Sequence, residues 1–137
     1  MTLLDEVDME LQRILLIEDE ADIRHIARLA LERLGNFTVE ECCAGNEATA
    51  KAKQINPDLI LLDVMMPGMD GPTTLQELRS IPELAQIPVV FMTAKVQPQE
   101  QKQYTDLGAI GVIAKPFDPA ALPDTLRRLW NERRQPA

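Results

Sequence analysis

The chain has 137 residues, which suits one domain able to bury roughly two thirds of the surface its unfolded form exposes and leaves no room for a second catalytic domain. A formal charge of −8 argues against a DNA or anionic-membrane surface, because phosphate is bound mainly by Lys and Arg that displace counterions. No direct nucleic-acid partner is expected. No stretch is long and apolar enough to span a bilayer, and the first residues, Met1-Thr2-Leu3-Leu4-Asp5-Glu6-Val7-Asp8-Met9-Glu10, lack the basic start and apolar core of a signal peptide. The expected compartment is the cytoplasm.

Residues 1–11 read as an acidic N-terminal extension, residues 12–134 as the domain, and residues 135–137 as a frayed tail. The first strand is expected over residues 13–17. A helix follows, with Ile23, Ile26, Ala27, Ala30, Leu31 and Leu34 at helical spacing, Arg24, Arg28 and Glu32 on other faces, and Gly35-Asn36 as its C-cap. His25, the one histidine, falls on the exposed polar face. The second strand, residues 37–43, contains the adjacent Cys42 and Cys43, which would point to opposite faces as two reduced structural thiols.

A second helix over residues 47–55 stops before Pro57, and residues 58–62 give a third strand. The third helix, residues 72–79, opens on Pro72. A fourth strand over 87–92, a glutamine-rich helix over 98–107 and a fifth strand over 109–114 follow. The last helix is expected from Asp118 to about Arg133, with Asp118 as N-cap, Pro119 at N1, and Leu122, Leu126 and Leu129 on one stripe. Pro123 should distort its first turn or shift its true start. Trp130 near its end should pack. Strands alternating with helices imply an α/β fold, a mostly parallel sheet covered on both faces in three layers. Periodicity alone does not give the strand order.

Polar residues of distinct chemistry follow four of the apolar runs. Glu18-Asp19-Glu20 follows the first, Asp63 the third, Thr93 the fourth and Lys115 the fifth. Singly, each has a bland reading as a helix cap or turn residue. Jointly they bring more, because parallel strands put all four ends on one edge of the sheet, where ligands bind in open α/β folds. If the first and third strands are neighbours, Glu18, Asp19 and Asp63 converge, and like-charged carboxylates held together call for a cation. A hard divalent ion fits, and Mg²⁺ typically takes one or two carboxylates plus phosphate oxygens. Asp63 would then be the nucleophile toward a phosphoryl group, with Lys115 neutralising charge and the Thr93 hydroxyl donating to a phosphate oxygen.

Residues Ile14-Leu15-Leu16-Ile17-Glu18-Asp19-Glu20, Leu59-Ile60-Leu61-Leu62-Asp63-Val64-Met65-Met66-Pro67-Gly68-Met69-Asp70-Gly71, Pro88-Val89-Val90-Phe91-Met92-Thr93-Ala94 and Gly111-Val112-Ile113-Ala114-Lys115-Pro116-Phe117 resemble the receiver domain of bacterial two-component response regulators. The resemblance runs over residues 13–133. It implies a doubly wound, flavodoxin-like sheet in the order 2-1-3-4-5, a topology for which a receiver protein is itself a standard example. It also implies that Asp63 is the phosphoacceptor, that Glu18, Asp19, Asp63 and the main-chain carbonyl of Met65 hold Mg²⁺, that Thr93 is the switch hydroxyl, and that Lys115 contacts the phosphoryl group. A cis Lys115–Pro116 peptide is implied as well.

By the same resemblance the donor would be a histidine kinase or histidine phosphotransfer protein. A downstream protein would bind the face of the fourth helix, fifth strand and fifth helix, the chain catalysing only its own phosphotransfer and dephosphorylation. Three positions depart from the common pattern: Glu18 stands where many members have Asp, Val112 where many have an aromatic switch residue, and Met65 and Lys95 hold the positions two after Asp63 and Thr93 that tune water access. Alternatives are a nonphosphorylated interaction module of the same fold and a Mg²⁺-dependent aspartyl phosphohydrolase. The latter usually has a second acid where Met65 stands. Met1 and the short tail favour a stand-alone protein over a relay shuttle or a fragment of a longer regulator.

Overall fold

Runs of Ile, Leu and Val too short for helices become five parallel strands in the computed structural model, which describes residues 10–133. The strands are β1 (Arg13–Ile17), β2 (Thr38–Cys42), β3 (Leu59–Asp63), β4 (Val89–Thr93) and β5 (Gly111–Ala114). They pair in the order β2-β1-β3-β4-β5. Every residue of β3 and β4 is buried, as central strands covered on both faces require. The expected extension over residues 1–11 lies mostly outside the described residues, and the tail over 135–137 wholly so.

Alternation along the strands sorts the core into two layers. Ile14, Leu16, Leu59, Leu61, Val90, Met92 and Ile113 face α1 (Ala21–Leu29) and α5 (Leu122–Glu132), where Trp130 packs. Leu15, Ile17, Ile60, Leu62, Val89 and Phe91 face the side of α2 (Ala48–Ile55), α3 (Gly71–Arg79) and α4 (Pro98–Asp106). Phe91 meets Tyr104 of α4 edge-on at 5.3 Å. Cys42 is buried and Cys43 exposed, as opposite faces demand.

Element ends depart from expectation where side chains compete for backbone groups. The Asp58 carboxylate accepts from the N–H groups of Gln12 and Arg13 at 3.0 and 2.8 Å, so it caps the start of β1 and β3 begins one residue later. The first helix widens into a π turn over Ala30–Leu34, with Gly35 N donating to Ala30 O at 3.2 Å. Gly35 is needed there for space, since a Cβ would stand 2.7 Å from the Phe37 ring; the left-handed turn that ends the segment falls on Asn36, at φ 61°.

The second helix begins at Ala48 after a 3₁₀ turn over Gly45–Glu47. Pro72 lies in the first turn of α3, as expected, but the helix begins one residue earlier at Gly71 and is capped by Asp70, whose Oδ1 accepts from Thr73 N at 2.9 Å. The start expected at Asp118 is corrected to Leu122, because Pro123 lacks an N–H and is accommodated only in a first turn. Asp118 instead closes a local turn, accepting from Ala120 N at 3.0 Å. The Lys115–Pro116 peptide is cis.

Candidate functional site

Register places the site. Ile17 of β1 pairs with Leu62 of β3, so the next residues, Glu18 and Asp63, emerge side by side at the carboxyl edge. Asp63 is in register with Met92, and Thr93 follows it. Thr93 pairs with Ala114, and Lys115 N then donates to Thr93 O at 2.9 Å, which sends the lysine side chain back across the sheet edge. Gly71 lets the start of α3 lie against this edge, since a Cβ there would stand 2.6 Å from Asp63 O.

The side chains converge on one ammonium. Lys115 Nζ lies 3.0 Å from Asp63 Oδ1, to which it donates, and 2.8 Å from Glu18 Oε1. The second contact is an ion pair out of line for a hydrogen bond. Glu18 is fully buried, Asp63 is 2 % exposed and Thr93 1 %. Burial pushes the Glu18 carboxyl up to about 7 against the opposing pull of the Lys115 contact and Glu20 N, with the Asp63 charge adding to the rise. Burial alone would lower Lys115, but its contacts with Glu18 and Asp63 outweigh that and raise it, so the ammonium stays charged.

Asp19 completes the cluster. Glu18, Asp19 and Asp63 each offer a carboxylate oxygen within 4.8 Å of the others, and Asp19 Oδ1 is buried with no hydrogen-bond partner. An orphaned anionic oxygen among two further acids fits a hard cation with oxygen ligands. Met65 N donates to Asp63 Oδ1 at 3.4 Å, and the Met65 side chain is exposed. Thr93 Oγ1 accepts from Lys95 N at 3.0 Å. A cleft lined by Val64, Met65, Lys95, Glu100 and Tyr104 opens beside this edge.

All the residues singled out at the strand ends thus meet at one edge. Val112 stands partly buried against the core on β5, and His25 lies exposed on α1. Helical spacing alone puts Arg24 on a polar face; the structure turns its guanidinium to the loop that carries Glu18 and Asp19. A basic residue one helical turn after an acidic loop was the available signal.

Residues 14–127 match the family model of the response regulator receiver domain. The chain belongs to that family. It is 42% identical over 107 residues to the transcriptional regulatory protein ResD of Bacillus subtilis, and 42% identical over 106 residues to the DNA-binding dual master transcriptional regulator RpaA of Synechocystis. These matches cover 78% and 77% of the chain, but 43% and 44% of the relatives, so the chain spans less than half the length of either. Among solved structures it resembles the chemotaxis protein CheY4 of Vibrio cholerae, with a TM-score of 0.80 and 31% identity over 88% of this chain and 99% of that one.

As a receiver domain, the protein is a signalling module of two-component response regulators, a family whose members work with histidine kinases and generally bind Mg²⁺. Its fold is the flavodoxin-like fold of the CheY neighbours. Among the described residues no helix is long and apolar enough to cross a membrane.

Proposed function

We propose that Asp63 accepts a phosphoryl group from the phosphohistidine of a histidine kinase or histidine phosphotransfer protein, and that this switches binding of a downstream protein. The observation that carries the reading is the half-buried ammonium of Lys115 shared between Asp63 and Glu18, with the orphaned Asp19 oxygen beside them. Glu18, Asp19, Asp63 and the Met65 carbonyl would hold Mg²⁺. When bound, that ion supplies positive charge for the phosphoryl oxygens.

Both hydrogen bonds to Asp63 fall on Oδ1, from Lys115 Nζ and Met65 N, which leaves Oδ2 to attack phosphorus. An oxygen–phosphorus bond forms as the phosphorus–nitrogen bond to the donor imidazole breaks, and the electron pair of that bond leaves with the imidazole nitrogen. Lys115 stays within reach of the transferred group, where its charge offsets the developing negative charge. The Thr93 hydroxyl, on the adjacent strand, donates to a phosphoryl oxygen and draws the β4 end toward the site. That movement would reshape the face of α4, β5 and α5 and so alter partner affinity.

The chain then catalyses only its own phosphotransfer and dephosphorylation. An aspartyl phosphohydrolase is disfavoured by Met65, an exposed aliphatic side chain where such enzymes keep a second acid. The net charge of −8 supports a module that binds protein without direct nucleic-acid contact. Incubation with acetyl phosphate or a kinase and Mg²⁺ is expected to yield an acid-stable, base-labile phosphoprotein that disappears in Asp63→Asn. A wild-type chain that takes up no phosphate, or an Asp63→Asn chain that still does, would end this reading.

A further inference from the structure

The loop between β1 and α1 is gripped from behind by a side chain with no part in the chemistry above. Arg24 Nη1 donates to the carbonyl oxygen of Glu18 at 2.7 Å and to that of Asp19 at 3.4 Å. Its Nε donates to Glu41 Oε1 on β2 at 3.1 Å. The other Glu41 oxygen accepts from Arg28 Nη1 at 3.0 Å, and Arg28 Nε donates to Glu32 Oε2 at 3.0 Å. The side chains of Arg24 and Glu41 are 19% and 30% exposed, so the pair is shielded more than an ordinary surface ion pair. Burial works to raise the Glu41 carboxyl, but the two arginines prevail and lower it, which keeps Glu41 an anion at neutral pH.

Two successive carbonyls held by one guanidinium fix two successive peptide planes. Those planes decide where the Glu18 and Asp19 carboxylates point. We infer that Arg24 is a positioning residue for the acidic pair: by joining the Glu18 and Asp19 carbonyls to Glu41 on β2, it sets how tightly the site holds a divalent cation. The inference rests on the Mg²⁺ reading of Glu18, Asp19 and Asp63. It is specific to a planar fork, because Nη1 holds the two carbonyls while Nε holds Glu41, and a lysine brings a single nitrogen for both sides. Supporting groups behind metal ligands commonly contribute to affinity without touching the ion.

The test titrates Mg²⁺ calorimetrically into the full chain and into Arg24→Met, Arg24→Lys and Glu41→Gln. Metal-free melting, and acetyl phosphate labelling as a function of Mg²⁺, are measured on the same proteins. The Mg²⁺ Kd is expected to rise about tenfold in Arg24→Met. Arg24→Lys should stay impaired, and Glu41→Gln should show a smaller loss. The Mg²⁺ concentration for half-maximal labelling should move in parallel, with the rate at saturating Mg²⁺ kept near wild type.

An unchanged Kd in Arg24→Met alongside a lowered melting temperature would make Arg24 a fold residue and overturn the inference, as would wild-type affinity in Arg24→Lys. If Arg24→Met fails to fold, an unchanged Kd in Glu41→Gln overturns it instead. Wild-type protein that binds no Mg²⁺ would overturn the site reading itself and this inference with it, whereas normal wild-type binding with unaffected variants would overturn this inference alone.

Discussion

Asp19 stands between two demands on one side chain. Its Oδ1 is buried without a partner and lies in a group of three acids, so in metal-free protein it adds repulsion and an unmet hydrogen-bond acceptor. Asp19→Asn removes the charge and brings an N–H donor into a cluster rich in acceptors. The metal-free protein is therefore expected to gain about 1 kcal/mol of stability, the scale of one relieved polar group. Mg²⁺ affinity should fall at the same time. Calorimetric melting in EDTA, paired with a Mg²⁺ titration, reads both; a mutant that melts lower in EDTA and binds Mg²⁺ as before would contradict the assignment.

Gly71 binds an element to the site. It is the first residue of α3, and a Cβ there would stand 2.6 Å from Asp63 O and 2.8 Å from Val64 Cα, both backbone atoms that cannot swing aside. Gly71→Ala must push the helix start away from the end of β3, and overpacking of this kind costs about 1–3 kcal/mol. Urea unfolding should show a lower midpoint, and acetyl phosphate labelling of Asp63 should slow. Much else at this scale could be read directly. The strands β3 and β4 are continuous apolar runs because they are buried on both faces, and a sequence marks such strands plainly.

Ends were less legible, because they depend on which backbone group a side chain captures. Asp58 looks like a strand residue until its carboxylate is seen to cap β1, and Asp118 looks like a helix cap while serving a local turn just ahead of α5. The site divided the same way. Glu18, Asp63, Thr93 and Lys115 follow apolar runs and were visible as strand-end chemistry, whereas Arg24 acquires its meaning from Glu41, which reaches it through the pairing of β1 with β2.

The whole molecule should register the site through pH. In the metal-free state burial holds the Glu18 carboxyl up at about 7, above its ordinary 4.5. A raised folded-state pKa means that the stability tied to this proton is fully present below the ordinary value and is lost as pH rises through about 7. Mg²⁺ requires the ionised carboxylate, so its stabilising effect should grow over the same interval. Melting curves from pH 5 to 8 with EDTA or Mg²⁺ are expected to diverge as pH rises. Curves that stay parallel would remove Glu18 from the linkage.

The shared ammonium of Lys115 has a bearing on how such a domain waits between signals. Small domains built around a structural metal come apart when the metal is stripped. Here the chain supplies a counter-ion of its own, tied to β4 through Lys115 N and seated between Glu18 and Asp63. The acidic edge therefore always has one resident positive charge, delivered at a fixed ratio of one per molecule. That charge offsets part of the repulsion among the three carboxylates without any ion from solution.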